Sequence, residues 1–140
     1  MKKGLLYIIL SMFILAACDN YKSYPLDGMW QLKTVQDMNG NENKVDTVFY
    51  SFHREVMFSV TILVNPKFST YPFYGYMDMP SDNKLHLLLN NSADENYVEW
   101  FLSFSGWSSA DLTFDIKEYN SKNLVLFDSG NGKTYTLKKF

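Results

Sequence analysis

Gly130-Asn131-Gly132-Lys133-Thr134 ends the way a phosphate-cradling loop ends, with glycines that free backbone N–H groups and a lysine to meet the charge. The first glycine of such a loop would fall at position 127, where Phe127 stands, and the segment lies between two alternating runs, not before a helix. A β-turn is the reading. Gly106-Trp107-Ser108-Ser109-Ala110 approaches a nucleophile elbow but ends on Ala110 where glycine is needed. His53-Arg54-Glu55 lacks the second histidine of a metalloprotease helix, because Met57 occupies its place. His53 and His86 fall in different strands or turns, short of the three protein ligands a zinc site requires. Asp37-Met38-Asn39-Gly40-Asn41 hints at a calcium loop, yet its glycine comes two places early and Val48 replaces the terminal glutamate. Asp111 and Asp115 can share a strand face with Thr113 between them, as exposed sheet charge commonly does. No acid–base pair, nucleophile, metal or cofactor site emerges, so an enzyme is not expected.

One residue does carry chemistry. Met1-Lys2-Lys3 is a short cationic start, Gly4 to Leu15 is apolar except for Ser11, and Leu15-Ala16-Ala17-Cys18 follows. The apolar run is shorter than the ~20 residues of a spanning helix and suits the core of a signal peptide. The four residues ending in Cys18 resemble the lipobox of bacterial lipoprotein precursors. The resemblance implies cleavage after residue 17, a thioether from Cys18 to diacylglycerol, and acyl chains such as palmitate holding the chain in the envelope. Each buried methylene contributes ~0.8 kcal/mol, so more than one chain anchors stably. Residues 18–25 would form the lipidated tether. Asp19 to Tyr24, fully extended, reaches about 20 Å, so the folded part would sit close to the bilayer. Asp19 and Asn20 resemble an inner-membrane retention signal of enterobacteria; inner and outer membrane both stay open.

The whole sequence carries a net charge of −2, and loss of Lys2 and Lys3 makes the mature chain more acidic. Nucleic acid, which needs a basic footprint, is therefore not an expected partner. With a single cysteine no disulfide forms within the chain, so a packed core must supply the stability, and 17% aromatic residues supply its area.

The rest of the chain alternates between turn signals. Trp30, Leu32 and Thr34 share a face in Gly28 to Val35. So do Val48, Tyr50 and Phe52 in Val45 to Phe52, and Val56, Phe58, Val60, Ile62 and Val64 in the next run. Phe73, Gly75, Met77 and Met79 follow, then Leu85, Leu87 and Leu89, then Leu112, Phe114 and Ile116. Asn123 to Ser129 and Lys133 to Phe140 complete eight strands. Period-two alternation gives one buried face and one wetter face, as in antiparallel sheet. Ser92-Ala93-Asp94-Glu95 reads as a capping box for a short helix carrying Tyr97, Val98, Phe101 and Leu102 and ending at Gly106, between strands 5 and 6. Residues 93–103 also alternate as a strand. Hairpin-linked strands predict an eight-stranded up-and-down barrel over residues 26–140, with a two-sheet sandwich as the alternative.

Gly28-Met29-Trp30 resembles the G-x-W signature of the lipocalins, in which the tryptophan closes the barrel floor. Leu26 to Leu32, Phe49 to Phe52 with Val56-Met57-Phe58, and Phe114 to Tyr119 with the ending Tyr135 to Phe140 are similar to small lipocalin-like lipoproteins of Gram-negative gut bacteria. Asp46-Thr47-Val48 resembles a short O-glycosylation sequon of such bacteria, which would modify Thr47.

Two functions are expected. One is a barrel that binds a small apolar or amphipathic ligand in a partial pocket lined by Tyr50, Phe58, Met77, Leu87 and Tyr135, where Gly75 leaves room and methionine can yield to a guest. The other is a structural or interaction lipoprotein with a filled barrel, using outward Phe49, Met57, Tyr74, Tyr76, Val125 and Phe127 if they form one patch.

Overall fold

Alternating runs become strands because each can bury its odd or even side chains only against other strands. The computed structural model describes residues 24–65 and 69–140; the signal peptide of residues 1–17, Cys18 and most of the tether lie outside them. The elements are β1 (Gly28–Gln36), β2 (Glu42–Lys44), β3 (Val48–His53), β4 (Met57–Asn65), β5 (Ser69–Ser81), β6 (Lys84–Leu89), α1 (Glu95–Ser105), β7 (Asp111–Tyr119), β8 (Asn123–Asp128) and β9 (Lys133–Lys139). Neighbours pair antiparallel in chain order, and β1 pairs β9 from Trp30–Lys139 to Gln36–Thr134. That last pairing closes the sheet into a barrel and excludes the sandwich. Closure pairs the long strands all round the wall, while the short β2 pairs β1 alone.

The second course of the wall is divided. β2 and β3 both pair β1, β2 opposite Thr34 to Gln36 and β3 opposite Gly28 to Gln31. The gap between them is bridged where the Val45 N–H donates to the Lys33 carbonyl at 2.7 Å and Gln31 Nε2 donates to the Asp46 carbonyl at 2.7 Å. The eight expected strands are therefore present with one broken in two.

Three details depart from strict alternation. The β1–β9 register shifts between Leu32 and Thr34. This bulge makes Thr34 face outward with Thr136, and brings Val35 into line with inward Tyr135. Val56 and Val64 are exposed, Val56 in the β3–β4 turn and Val64 at the shift between Leu63 and Asn65. The helix is capped by Asp94, not Ser92: Asp94 Oδ1 accepts from the Tyr97 N–H at 3.1 Å. At its other end Gly106 takes φ 70°, a left-handed turn glycine adopts without a Cβ penalty.

The interior is continuous from end to end. Trp30, Tyr50, Phe58, Phe73, Phe101, Phe114, Leu85, Leu87, Leu124, Leu126, Tyr135 and Leu137 are all buried.

Candidate functional site

Tyr50, Phe58, Met77, Leu87 and Tyr135 come from β3, β4, β5, β6 and β9, and all five are buried on the inner face. A further aromatic side chain, from the segment after α1, packs on Tyr50 and Phe58 of this set. Trp107, one residue past the helix C-cap, enters the lumen with 4% of its surface exposed. Its Nε1 donates to the Tyr50 hydroxyl at 2.9 Å, and its ring lies 5.8 Å from that of Phe58, 4.9 Å from Phe101 and 5.2 Å from Phe114. Edge-to-face rings at such separations are favourable beyond the area they bury. The room left by Gly75 is taken as well. It stands opposite Phe58 in the register, and a Cβ there would run into the Phe58 ring and the Leu88 carbonyl.

A lid covers this mouth of the barrel. Phe101 on α1 is buried against Phe73 at 4.9 Å and against Trp107, and Tyr97 packs on Phe73 at 5.4 Å. The Gly106 carbonyl accepts from the Tyr135 hydroxyl at 2.6 Å and from Asn131 Nδ2 at 2.9 Å. Asp128, completely buried, holds the descending segment: its Oδ2 accepts from the Ser108 N–H at 2.9 Å, and its Oδ1 from Ser108 Oγ and the Gly130 N–H, each at 2.8 Å. A buried carboxylate is costly unless hydrogen-bonded, and this one has three donors. Burial pushes the Tyr50 and Tyr135 phenols well above the usual tyrosine range, so both stay neutral and keep their hydrogen bonds.

The opposite mouth is closed by Trp30, 1% exposed, whose Nε1 donates to the Leu26 carbonyl at 2.9 Å. Gly28, with φ 111°, takes a backbone shape that other residues rarely adopt and turns the chain into the wall. Lys139 Nζ lies 4.5 Å over the Trp30 ring and donates to the Asp27 carbonyl. Tyr119, its ring 6.2 Å from Trp30, donates its hydroxyl to the Pro25 carbonyl. Beside this floor is a recess of about 220 Å³ lined by Pro25, Leu26, Met79, Asp82, Ile116 and Tyr119. Two shallower grooves lie outside the barrel. One, of about 590 Å³, runs along the β1 bulge past Lys33, Thr34, Lys44, Val45 and Lys138. The other, of about 560 Å³, follows Glu95, Val98, Glu99 and Leu102 on α1. None of these three openings is lined by Tyr50, Phe58, Met77, Leu87 or Tyr135.

The other residues named from the sequence lie in turns, in the gap between β2 and β3, and on the outer wall. Asp37 Oδ1 accepts from the N–H groups of Asn39 and Asn41 and shapes the β1–β2 turn, and the side chain of Asn41 holds its carboxyl below the usual range. Gly130 to Gly132 is the β8–β9 turn. His86 Nε2 lies 2.7 Å from Asp111 on the outer wall. Lys84 first and Lys117 second lower the pKa of Asp115. Thr47 lies half-buried in the gap between β2 and β3, its carbonyl accepting from the Leu63 N–H at 2.8 Å. The outward apolar residues divide into two groups. Met57 and Tyr76 are direct partners on β4 and β5, whereas Val125 and Phe127 lie on β8 with β6 and β7 intervening.

Trp107 and Asp128 are the residues that sequence reasoning did not single out. Asp128 had a visible signal, because it continues the inward phase of Leu124 and Leu126.

Two solved structures share this architecture. A lipocalin-like protein from Bacteroides uniformis ATCC 8492 is 27% identical, with 84% of this chain and 100% of that one aligned at a TM-score of 0.69. An uncharacterized protein from Bacteroides eggerthii DSM 20697 is 26% identical over 82% of this chain and 99% of that one, at a TM-score of 0.70. No curated protein matches the chain. Residues 13–140 match the lipocalin-like domain, and with the closed barrel they place this chain in the lipocalin-like domain family.

Proposed function

We propose that this protein is a membrane-tethered envelope lipoprotein whose filled lipocalin-like barrel engages its partner through its outer surface. The observation that carries the reading is the lumen, occupied by Trp107 and closed at both mouths by Phe101 and Trp30. An eight-stranded barrel either fills with its own side chains or holds one small ligand, and here Trp107 stands in that space. The tether is supported by the cationic start, the short apolar run and Leu15-Ala16-Ala17-Cys18. Under this reading wild-type protein labels with a fatty-acid probe and partitions into detergent, while Cys18→Ala stays an unprocessed precursor. Normal processing and membrane retention of Cys18→Ala would overturn the tether.

A second reading, binding of a small apolar or amphipathic ligand, has one observation in its favour: the recess between Leu26, Met79, Ile116 and Tyr119. Thermal shift with fatty acids, haem, sterols and flavins separates the two. A ligand at 100 times its dissociation constant stabilises by ~2.7 kcal/mol, whereas the filled-barrel reading expects no shift from any of them.

A further inference from the structure

The described chain begins at Tyr24 and enters the barrel at the Trp30 end, and it is fastened there. The Asp27 N–H donates to the Tyr24 carbonyl at 3.1 Å, Asp27 Oδ1 accepts from the Arg54 N–H at 2.6 Å, and Lys139 and Tyr119 hold the carbonyls of Asp27 and Pro25. A tether leaving from this point, at most about 20 Å long, brings one end of the barrel to the bilayer and not the other.

That end has the surface an interface asks for. Apolar side chains stand out at three places around its rim, each with a cation close by in the chain. Val56, 54% exposed, is in the β3–β4 turn with Arg54; Tyr119, 43% exposed, ends β7 ahead of Lys122; Phe140, 75% exposed, follows Lys138 after β9. Phe140 is fixed by its N–H to the Met29 carbonyl at 2.9 Å, beside exposed Met29. Arg54, Lys122 and Lys138 are exposed. Asp27, Glu55, Asp82 and Glu118 also lie at this end, so its charge is mixed. The lid end also exposes apolar side chains, among them Met38, Val64, Trp100 and Phe104, and differs in its charge. Asp37, Glu42, Asp94, Glu95, Glu99 and Asp111 gather there, against Lys44 and Lys133 among the described residues. An anionic surface repels the lid end and accepts the other, where cations on long stems reach headgroups while apolar neighbours enter the boundary.

We propose that the Trp30 end of the barrel is a docking surface for anionic phospholipid, so that the barrel stands on the bilayer with its helix lid facing away. This rests on the lipid tether of the proposed function. The test uses the full processed lipoprotein in vesicles of phosphatidylcholine and phosphatidylglycerol containing a nitroxide lipid. Because lipid occupies the thiol of Cys18, the sole cysteine, Val56→Cys or Met38→Cys carries a fluorophore at one end or the other. The strands separate these sites by roughly 20 Å along the barrel. Quenching at position 56 several-fold stronger than at 38 is the expected result, falling when Lys122→Glu and Lys138→Glu are added. Equal quenching at the two positions with intact flotation would overturn the docking and leave the tether standing. Failure of the protein to float would overturn the tether and the docking with it. A preference at 56 that ignores the charge reversals would overturn the anionic-lipid chemistry.

Discussion

At the scale of single residues, Tyr50 and Trp107 form the centre of the molecule. The Trp107 indole has one N–H, and inside an aromatic lumen the Tyr50 hydroxyl is its acceptor. Tyr50→Phe keeps the ring and orphans that donor, which costs about 1–3 kcal/mol, read as a lower urea midpoint at pH 8. The same phenol gives a pH signature. Its pKa is raised by burial, as is that of Tyr135. The stability this contributes is complete below the unfolded tyrosine value of about 10 and declines as pH rises above it, since only the unfolded chain then ionises. Comparing midpoints at pH 8 and 11 should show that Tyr50→Phe loses less than wild type, with Tyr135 retaining part of the slope. Trp107→Ala is the larger change. It removes the plug from a dry site, should cost about 3–5 kcal/mol, and leaves a cavity the shape of an indole. Such apolar cavities bind small aromatics. Added indole should therefore raise the melting temperature of Trp107→Ala and leave wild type unchanged.

At the scale of elements, the lid and the floor close the barrel by different means. The floor depends on burial: Trp30→Ala voids a packed position and should cost about 3–5 kcal/mol in chemical denaturation. A loss below about 1 kcal/mol would show that Trp30 does not plug the floor. The lid depends on polar attachment. Asp128→Asn exchanges a three-fold acceptor for a group that also donates, and should cost about 1–3 kcal/mol. Its effect should be local, with amide exchange of Gly106 to Ala110 accelerating more than that of β3 or β8. Wall elements were the most legible in the sequence, because period-two burial involves only a strand and its immediate neighbours. The β1 bulge was not legible. Thr34 and Val35 are both compatible with either face, and their choice follows from pairing with β9 about a hundred positions away in the chain.

At the scale of the whole molecule, the sequence by itself determined the class of fold and the ingredients of the core. Alternating apolar residues between turn signals specify antiparallel strands, and Gly28-Met29-Trp30 marks the floor, because both patterns are local and short-ranged. Cys18 and the run before it are equally local, and they set the expectation of a tether. Only the tertiary structure decided that the sheet closes, through β1 and β9, and that Trp107 enters the lumen. That side chain lies 57 positions from its hydrogen-bond partner Tyr50, and no periodicity records such a meeting. Inward residues such as Tyr50, Phe58 and Tyr135 read the same from sequence whether they face a ligand or Trp107. The difference lies in where α1 docks, and that is settled by packing over the whole mouth: Phe101 against Phe73, the Gly106 carbonyl on Tyr135, and Ser108 on Asp128.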